Sequence, residues 1–399
     1  MQTQFTTSSS EATTLLGRLK MNAKNLIEPT SPFFYLLSLC LLLAVAACAQ
    51  QPDKAAMVES KSPTFTVIDA PNAGTNPGQG TFAEGINTGG VIVGSYWDSN
   101  TTFDGFVRAK NGALTVIDVS GAGSGYLQGT SAAALNTAGD ISGTYFDSGN
   151  TTHGFLRSTA GVITDINVSG AGTGDDKGTS GGGISTAELI VGDYRDPNNA
   201  HHGYARTKKG VITVFDCPNA GTGNGQGTSG GAVNPAGEAS GNCIDSSNVH
   251  HAYLRATNGT LTVYDAPDAG TAADQGTNGA GINTAGVAVG WYIDSTGVNH
   301  GFARAANGTI SNIDDPSAGT ASGEGTVAFA INSKGVIVGY YIDSSRVQHG
   351  FMLATNGIFT PIDPPGAVYV FPDGINTAGD ICGYYIDADG VYHGFLYTP

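Results

Sequence analysis

Residues 114–162 read LTVIDVSGAGSGYLQGTSAAALNTAGDISGTYFDSGNTTHGFLRSTAGV, and the chain then begins the same pattern again at Ile163. FTVID starts at Phe65, LTVID at Leu114, ITDIN at Ile163, ITVFD at Ile212, LTVYD at Leu261, ISNID at Ile310 and FTPID at Phe359, each 49 residues after the last. Only the seventh unit is shorter, by five residues. A fixed period of this length marks a repeat architecture, and the repeats leave no room for a separate domain.

Each unit holds four strand-like segments, dense in β-branched and aromatic residues and bounded by turn residues. In the first unit we label them a (Thr81–Ile86), b (Val91–Trp97) and c (Gly105–Ala109), with d at Leu114–Asp118. Lys110-Asn111-Gly112 and Asn87-Thr88-Gly89-Gly90 supply tight hairpin turns. No segment carries a helical period. Four antiparallel strands per 40–50 residues predict an all-β, seven-bladed β-propeller of four-stranded blades. Strand a should line the axis, where only small side chains fit. Gly85, Ala134, Gly183, Ala232, Gly281, Ala330 and Gly374 meet that demand, and so do Ala83, Ala132, Gly181, Gly230, Gly279 and Ala328. The chain starts on a d strand, Phe65–Asp69, and ends on a c strand, His393–Tyr397. Pairing the two would close the ring and remove two exposed edges. An open solenoid, the alternative, would need capping repeats, and none is present.

Composition agrees. Gly is 60 of 399 residues and charged residues are only 13%, which excludes a helical bundle, while 40% hydrophobic residues allow a core. The formal net charge of -16 argues against nucleic acid as a partner.

Phe33–Ala47 is an apolar run preceded by Arg18, Lys20 and Lys24, too short to span a bilayer and laid out as an export signal. Val45-Ala46-Ala47-Cys48 resembles the lipobox of bacterial lipoproteins, which implies lipidation of Cys48 and a location at the outer membrane or cell surface. Ala49 in place of Asp is in keeping with the outer membrane. The alternative is an ordinary secretory signal with an incidental Cys48, giving a secreted or periplasmic protein. Met21 could be the true start, since the segment before Phe33 is long for a signal. The expected organisation is a signal over 1–47, a polar tether over 48–64 and the propeller over 65–399. The mature chain would carry 14 basic and 31 acidic residues, a net of -17.

Strand c opens with His153-Gly154-Phe155, and the motif returns at His202, His251, His300, His349 and His393. With INTAG and VGxYxD, this resembles the HAF-repeat family of predicted extracellular bacterial proteins, which is defined by its repeat and implies no activity. The resemblance covers Phe65 to the C-terminus. Asp98, Asp147, Asp196, Asp245, Asp294, Asp343 and Asp387 share one position, and the His follows six residues later in six of the seven copies. These are read as structural pairs that pin the b–c loop. A metal site is the rival, but strand c is third from the axis, so the histidines should not converge; no metal or cofactor is expected. His201-His202 and His250-His251 are the one place where two pairs could approach. Asp387-Ala388-Asp389-Gly390 is similar to a calcium loop but lacks the later Glu. Gly178–Gly182 and Gly227–Gly231 match a nucleophile pattern that needs a strand–turn–helix elbow, absent here, and no catalytic residue is assigned. Cys217 and Cys243 both fall in the fourth unit, and Cys243 replaces a Tyr found in the six others; a disulfide is expected, against two independent substitutions. Cys382 is expected to be buried and free.

Polar residues recur unit after unit, as structure demands and catalysis does not. The sequence therefore favours a monomeric, non-catalytic binding scaffold that takes a protein or glycan on its loop face. It would meet the membrane through the lipid anchor only. The alternative is a propeller enzyme acting on extracellular glycans, and a third is a purely architectural surface protein. The ligand face is expected to carry the long d–a loops and the b–c turns, with its centre on the fifth to seventh units. There one strand b position changes from Ser95, Thr144, Asp193 and Asn242 to Trp291, Tyr340 and Tyr384, near Phe82, Tyr369 and Phe371. These aromatics are candidate ligand contacts or, equally, packing between blades.

Overall fold

The computed structural model describes residues 62–174 and 177–399, and Lys61–Pro399 forms one compact unit. Cys48, the signal and the tether up to residue 61 lie outside the described residues. Among the described residues there are strands and turns and no helix, so none long and apolar enough to cross a membrane.

In the first repeat strand a is Gly80–Ile86, b Ile92–Trp97, c Phe103–Arg108 and d Leu114–Ile117, paired antiparallel in that order. The same meander recurs along the chain. Successive meanders are joined where the first residue of strand a makes one parallel bridge to the start of the preceding strand c. Gly129 meets Phe103, Gly178 meets Thr152, and Gly325 meets Asn299. The glycine of the QGT motif is required at this crossing. Gly129 has φ of 118°, and a Cβ there would lie 2.0 Å from the Phe103 carbonyl oxygen. The neighbouring Thr then caps the long loop: Thr130 Oγ1 accepts from the Val119 N–H at 3.1 Å.

The ends meet. Gly80 bridges to Tyr392, and Thr64–Ile68 pairs antiparallel with Tyr392–Thr398, in register from Thr64↔Thr398 to Ile68↔Gly394. The meanders stand as the sheets of a β-propeller, with strand a innermost. There the strands crowd one another: a Cβ on Gly183 would lie 2.8 Å from the Gly231 oxygen of the next repeat. At the far end of strand a, asparagines tie the a–b turns around the axis. Asn87 Nδ2 donates to the Asn136 carbonyl at 3.2 Å, and Asn376 Nδ2 to the Asn87 carbonyl at 3.4 Å. Ser185 stands in place of Asn in the third repeat.

The core lies between sheets, and one device builds it. Strand b carries Gly94, Gly143, Gly290 and Gly383 where the ring of the strand c aromatic crosses. Phe106, Phe155, Phe302 and Phe395 are thereby fully buried. In the third and fourth repeats the ring is Tyr204 or Tyr253, and strand a is split, as Gly178–Thr179 with Gly183–Ile184 and as Gly227–Thr228 with Ala232–Val233. The two hydroxyls donate to the carbonyls of Ser180 and Ser229 in the gaps, at 2.9 and 2.8 Å. These gaps are the two segments with the nucleophile-like pattern, and both are interruptions of a strand.

The seventh repeat departs from the others in step with its deletion. Strand a becomes Ala367–Ile375, Tyr369 replaces the crossing glycine and Val370 replaces the capping Thr. Gln348 Nε2 donates to the Val370 carbonyl at 2.8 Å where other repeats make the crossing bridge.

Cys217, just past strand d, and Cys243, at the end of strand b, are joined as a disulfide with Cα atoms 6.4 Å apart. Cys382 is buried and free.

Two outcomes are expected. Gly143→Ala sets a Cβ 2.2 Å from the Ser131 oxygen and 2.6 Å from the Phe155 ring. It should cost about 1–3 kcal/mol in a denaturant melt, and an unchanged midpoint would contradict the account of the core. Removing the disulfide by Cys217→Ala with Cys243→Ala should cost about 3 kcal/mol, with two free thiols absent from the unreduced wild-type protein.

Candidate functional site

The recurring polar groups are taken up within each meander. Asp147 Oδ1 accepts from the Gly149 and Thr151 N–H groups at 2.8 and 2.9 Å, which fixes the b–c turn. Its Oδ2 lies 3.2 Å from His153 Nε2, and His153 Nδ1 lies 2.7 Å from Asn167 Oδ1. The ring stacks on Tyr145, with centroids 4.8 Å apart. Elsewhere His202, His251, His300, His349 and His393 each sit between two aspartates: Asp196 and Asp216, Asp245 and Asp265, Asp294 and Asp314, Asp343 and Asp363, Asp387 and Asp69. Asp98 also holds its turn, but Asp104 stands where the others have His. Asp389 contributes its N–H to Asp387, so that segment is an ordinary turn. His201 turns to Asp193 at 2.8 Å and His250 to Asn278 at 2.8 Å, so the two His pairs bond within different surroundings. Where Cys243 replaces the stacking Tyr, a space of about 170 Å³ is left beside His251 and the disulfide.

The repeat also loses its symmetry along one column of strand a. In strand a the register against strand b slips by one residue between Ala83 and Gly85, between Ala132 and Ala134, between Ala328 and Ala330, and between Pro372 and Gly374. The extra residue of each bulge is unpaired and re-aimed, a device common beside functional sites. Along the chain this column reads Glu84, Ala133, Gly182, Gly231, Ala280, Phe329 and Asp373. Glu84, Ala133, Phe329 and Asp373 wall a cavity of about 380 Å³ together with Phe82 and Tyr384.

This corrects the expectation that no convergent acids interrupt the repeat. Glu84 and Asp373 lie deep in the protein yet keep some accessible surface where they face the cavity. Glu84 Oε1 accepts from Ser95 Oγ at 2.7 Å and Ser131 Oγ at 3.4 Å. Burial raises the Glu84 carboxyl to about 7, against the two serine hydrogen bonds that pull it down. Burial, and then the charge of Glu84, hold the Asp373 carboxyl well above the usual range. The Tyr384 hydroxyl and the Cys382 thiol are pushed up by burial and then by Asp373. A carboxyl held near neutrality, as Glu84 is, can exchange a proton with a ligand, and the pair can bind a positive group.

Of the six aromatics singled out in the sequence, Phe82 and Tyr384 line the cavity, with centroids 5.1 Å apart. Phe371 stacks on Tyr384 at 4.7 Å, and Tyr340 meets Phe371 edge-on at 5.6 Å, so both pack onto the cavity residues without lining the cavity. Trp291 stacks on Phe329 at 6.5 Å. Tyr369 is exposed. The cavity therefore draws on the sixth, seventh, first and second repeats, whereas the sequence centred the expected site on the fifth to seventh. Glu84, Phe329 and Asp373 were missed, although the aligned repeats displayed them. Two acids and a Phe in a column otherwise of Ala and Gly are the signal.

No family model matches the chain, and no curated protein matches it. Among solved structures it is similar to the β-propeller domain of the Trilobed protease from Pyrococcus furiosus, at 9% identity and TM-score 0.49, over 79% of this chain and 95% of that one. It is also similar to an Aleuria aurantia lectin solved with Fucalpha1-6GlcNAc, at 12% identity and TM-score 0.43, over 75% of this chain and 100% of that one. A third is puromycin hydrolase, at 9% identity and TM-score 0.47, over 80% of this chain and 50% of that one. At these scores the propeller arrangement stands on the strand pairing of the chain itself.

The Glu84 carboxyl makes stability depend on pH. Its value in the folded chain, about 7, lies above the ordinary 4.5, so the folded state holds the proton more tightly. The stability this contributes is full below about pH 4.5 and is lost as pH rises through about 7. Glu84→Gln should therefore melt with wild type at about pH 4 and at least about 2 °C higher at about pH 8. Parallel melting curves across that range would contradict the assignment.

Proposed function

We propose that the chain is an exported, lipid-anchored binding protein of the HAF-repeat type, a propeller of seven four-stranded blades whose ligand enters the axial cavity from the loop face. One observation carries the reading: where the first and seventh repeats meet, two carboxyls and three aromatic rings interrupt the repeat pattern and converge on a cavity of ligand size. The long d–a loops and the b–c turns share one face, tied by bridges such as Ala73↔Asp98. Phe82 lies two residues from Gly80, where strand a leaves that loop. At the opposite end of strand a the aliphatic side chains Ile86, Leu135, Ile184 and Ile282 line the mouth beside the asparagine turns, which favours entry from the loop face. The partner is a glycan or a protein segment that inserts one group into the axis, and the protein acts as a monomer at the outer membrane or cell surface.

A second reading is favoured by Glu84 itself. A carboxyl held to about 7 beside a second carboxyl suits a general acid in glycan hydrolysis. Recovering partners from envelope extract with immobilised wild type and Phe329→Ala,Tyr384→Ala tests the first reading. Capture by wild type and loss with the folded double variant is expected. Equal capture by both would remove the axial site. Turnover of a polysaccharide that is abolished by Glu84→Gln would select the enzyme.

A further inference from the structure

We propose that the axial cavity receives an organic ammonium group, a primary or methylated amine, with the cation between Glu84 and Asp373 and its carbon substituents against Phe82, Phe329 and Tyr384. The inference rests on the reading of this cavity as the ligand site and names the chemistry of what enters it.

The carboxyls lack a cation. Among the described residues Asp373 has no hydrogen-bond partner, and Glu84 has only the hydroxyls of Ser95 and Ser131. No Lys, Arg or His forms an ion pair with either. The titratable groups that face the pair from the packed strands are Tyr340, Tyr384 and Cys382, none of them cationic. A buried carboxylate without a partner is costly, and a positive ligand supplies the missing partner.

The aromatic rings point the same way independently. Phe329 is 38% exposed although it stands on the innermost strand, beside the axis, with one face against Trp291. A ring left open on an internal cavity is an unfilled contact, and ring faces attract cations carried on carbon. A volume of about 380 Å³ accepts an alkylammonium group. A bare metal ion fits poorly: it would require three or more oxygen or nitrogen ligands, and the remaining walls are rings and Ala133. A neutral sugar would leave the two acids without a positive partner. The excess of acidic over basic residues, 33 to 17, steers cations toward the protein.

Binding then requires the acid pair to lose protons, so affinity should rise with pH between about 5 and 8. Choline and n-butylammonium serve as probes against the full chain in titration calorimetry, with 3,3-dimethylbutan-1-ol as the neutral isostere of choline. At least one ammonium probe should bind at least about tenfold more tightly than the isostere. It should release protons on binding near pH 6.5, measured in two buffers of different ionisation enthalpy. Asp373→Asn should lose at least about tenfold in affinity. If that variant fails to fold, Glu84→Gln and the proton release of wild type carry the same test. Equal binding of choline and its isostere, or binding of neither ammonium probe, overturns the inference. If a neutral glycan binds instead and is lost in Phe329→Ala, the cavity remains the site and only its ammonium chemistry fails. A captured ligand indifferent to Phe329→Ala, Glu84→Gln and Asp373→Asn removes both.

Discussion

Closure of the sheets into a ring sets the distance between neighbouring innermost strands, and most of the sequence answers to that distance. Gly183 packs against Gly231 because nothing larger than hydrogen fits between two backbones at that separation. The same constraint reaches outward. With strand a so near its neighbours, bulk must be moved to strand c, and strand b must yield a glycine wherever the Phe ring passes. The VG pair and the HGF triplet are thus two halves of one packing contact.

A crowded axis also explains why a bulge matters there. Where side chains must be small, the unpaired bulge residue is a position of strand a that can point its side chain into open space, as Glu84, Phe329 and Asp373 do. Five of the repeats leave this position without a charge, and the two that carry one adjoin across the closure. Ring closure therefore brings Glu84 and Asp373 together from distant parts of the chain, and the electrostatics of the site are a product of topology.

The all-β class was legible because the strands and their turn residues recur with a fixed spacing and no helical period competes. Tyr384 was legible because aromatics replaced small polar residues at one position of strand b, and Phe82 because it lies beside that position across the closure. Other parts were not. Gly129 reads as a turn residue, and only the crossing of Phe103 reveals its second role. Glu84 reads as one more surface acid among many, since a period of two assigns its face and the register slip that re-aims it leaves no mark in the sequence. Asp373 was hidden in the same way: it stands one residue before the aligned Gly374, and the slip between Pro372 and Gly374 sets where it faces.

The pairing of Thr64–Ile68 with Tyr392–Thr398 has a consequence for how the protein is made. In synthesis from the N-terminus, Thr64–Ile68 emerges before the other described strands and is the last of them to find its partner. Until the final strand arrives, an apolar edge on Phe65 and Val67 and every growing sheet edge stand open to other chains. The closing contact joins residues at opposite ends of the sequence, so the loop it closes is nearly the whole repeat region and the step is slow relative to the local meanders. A chain truncated before Tyr392 would hold its local meanders and still leave the edge of Thr64–Ile68 without a partner.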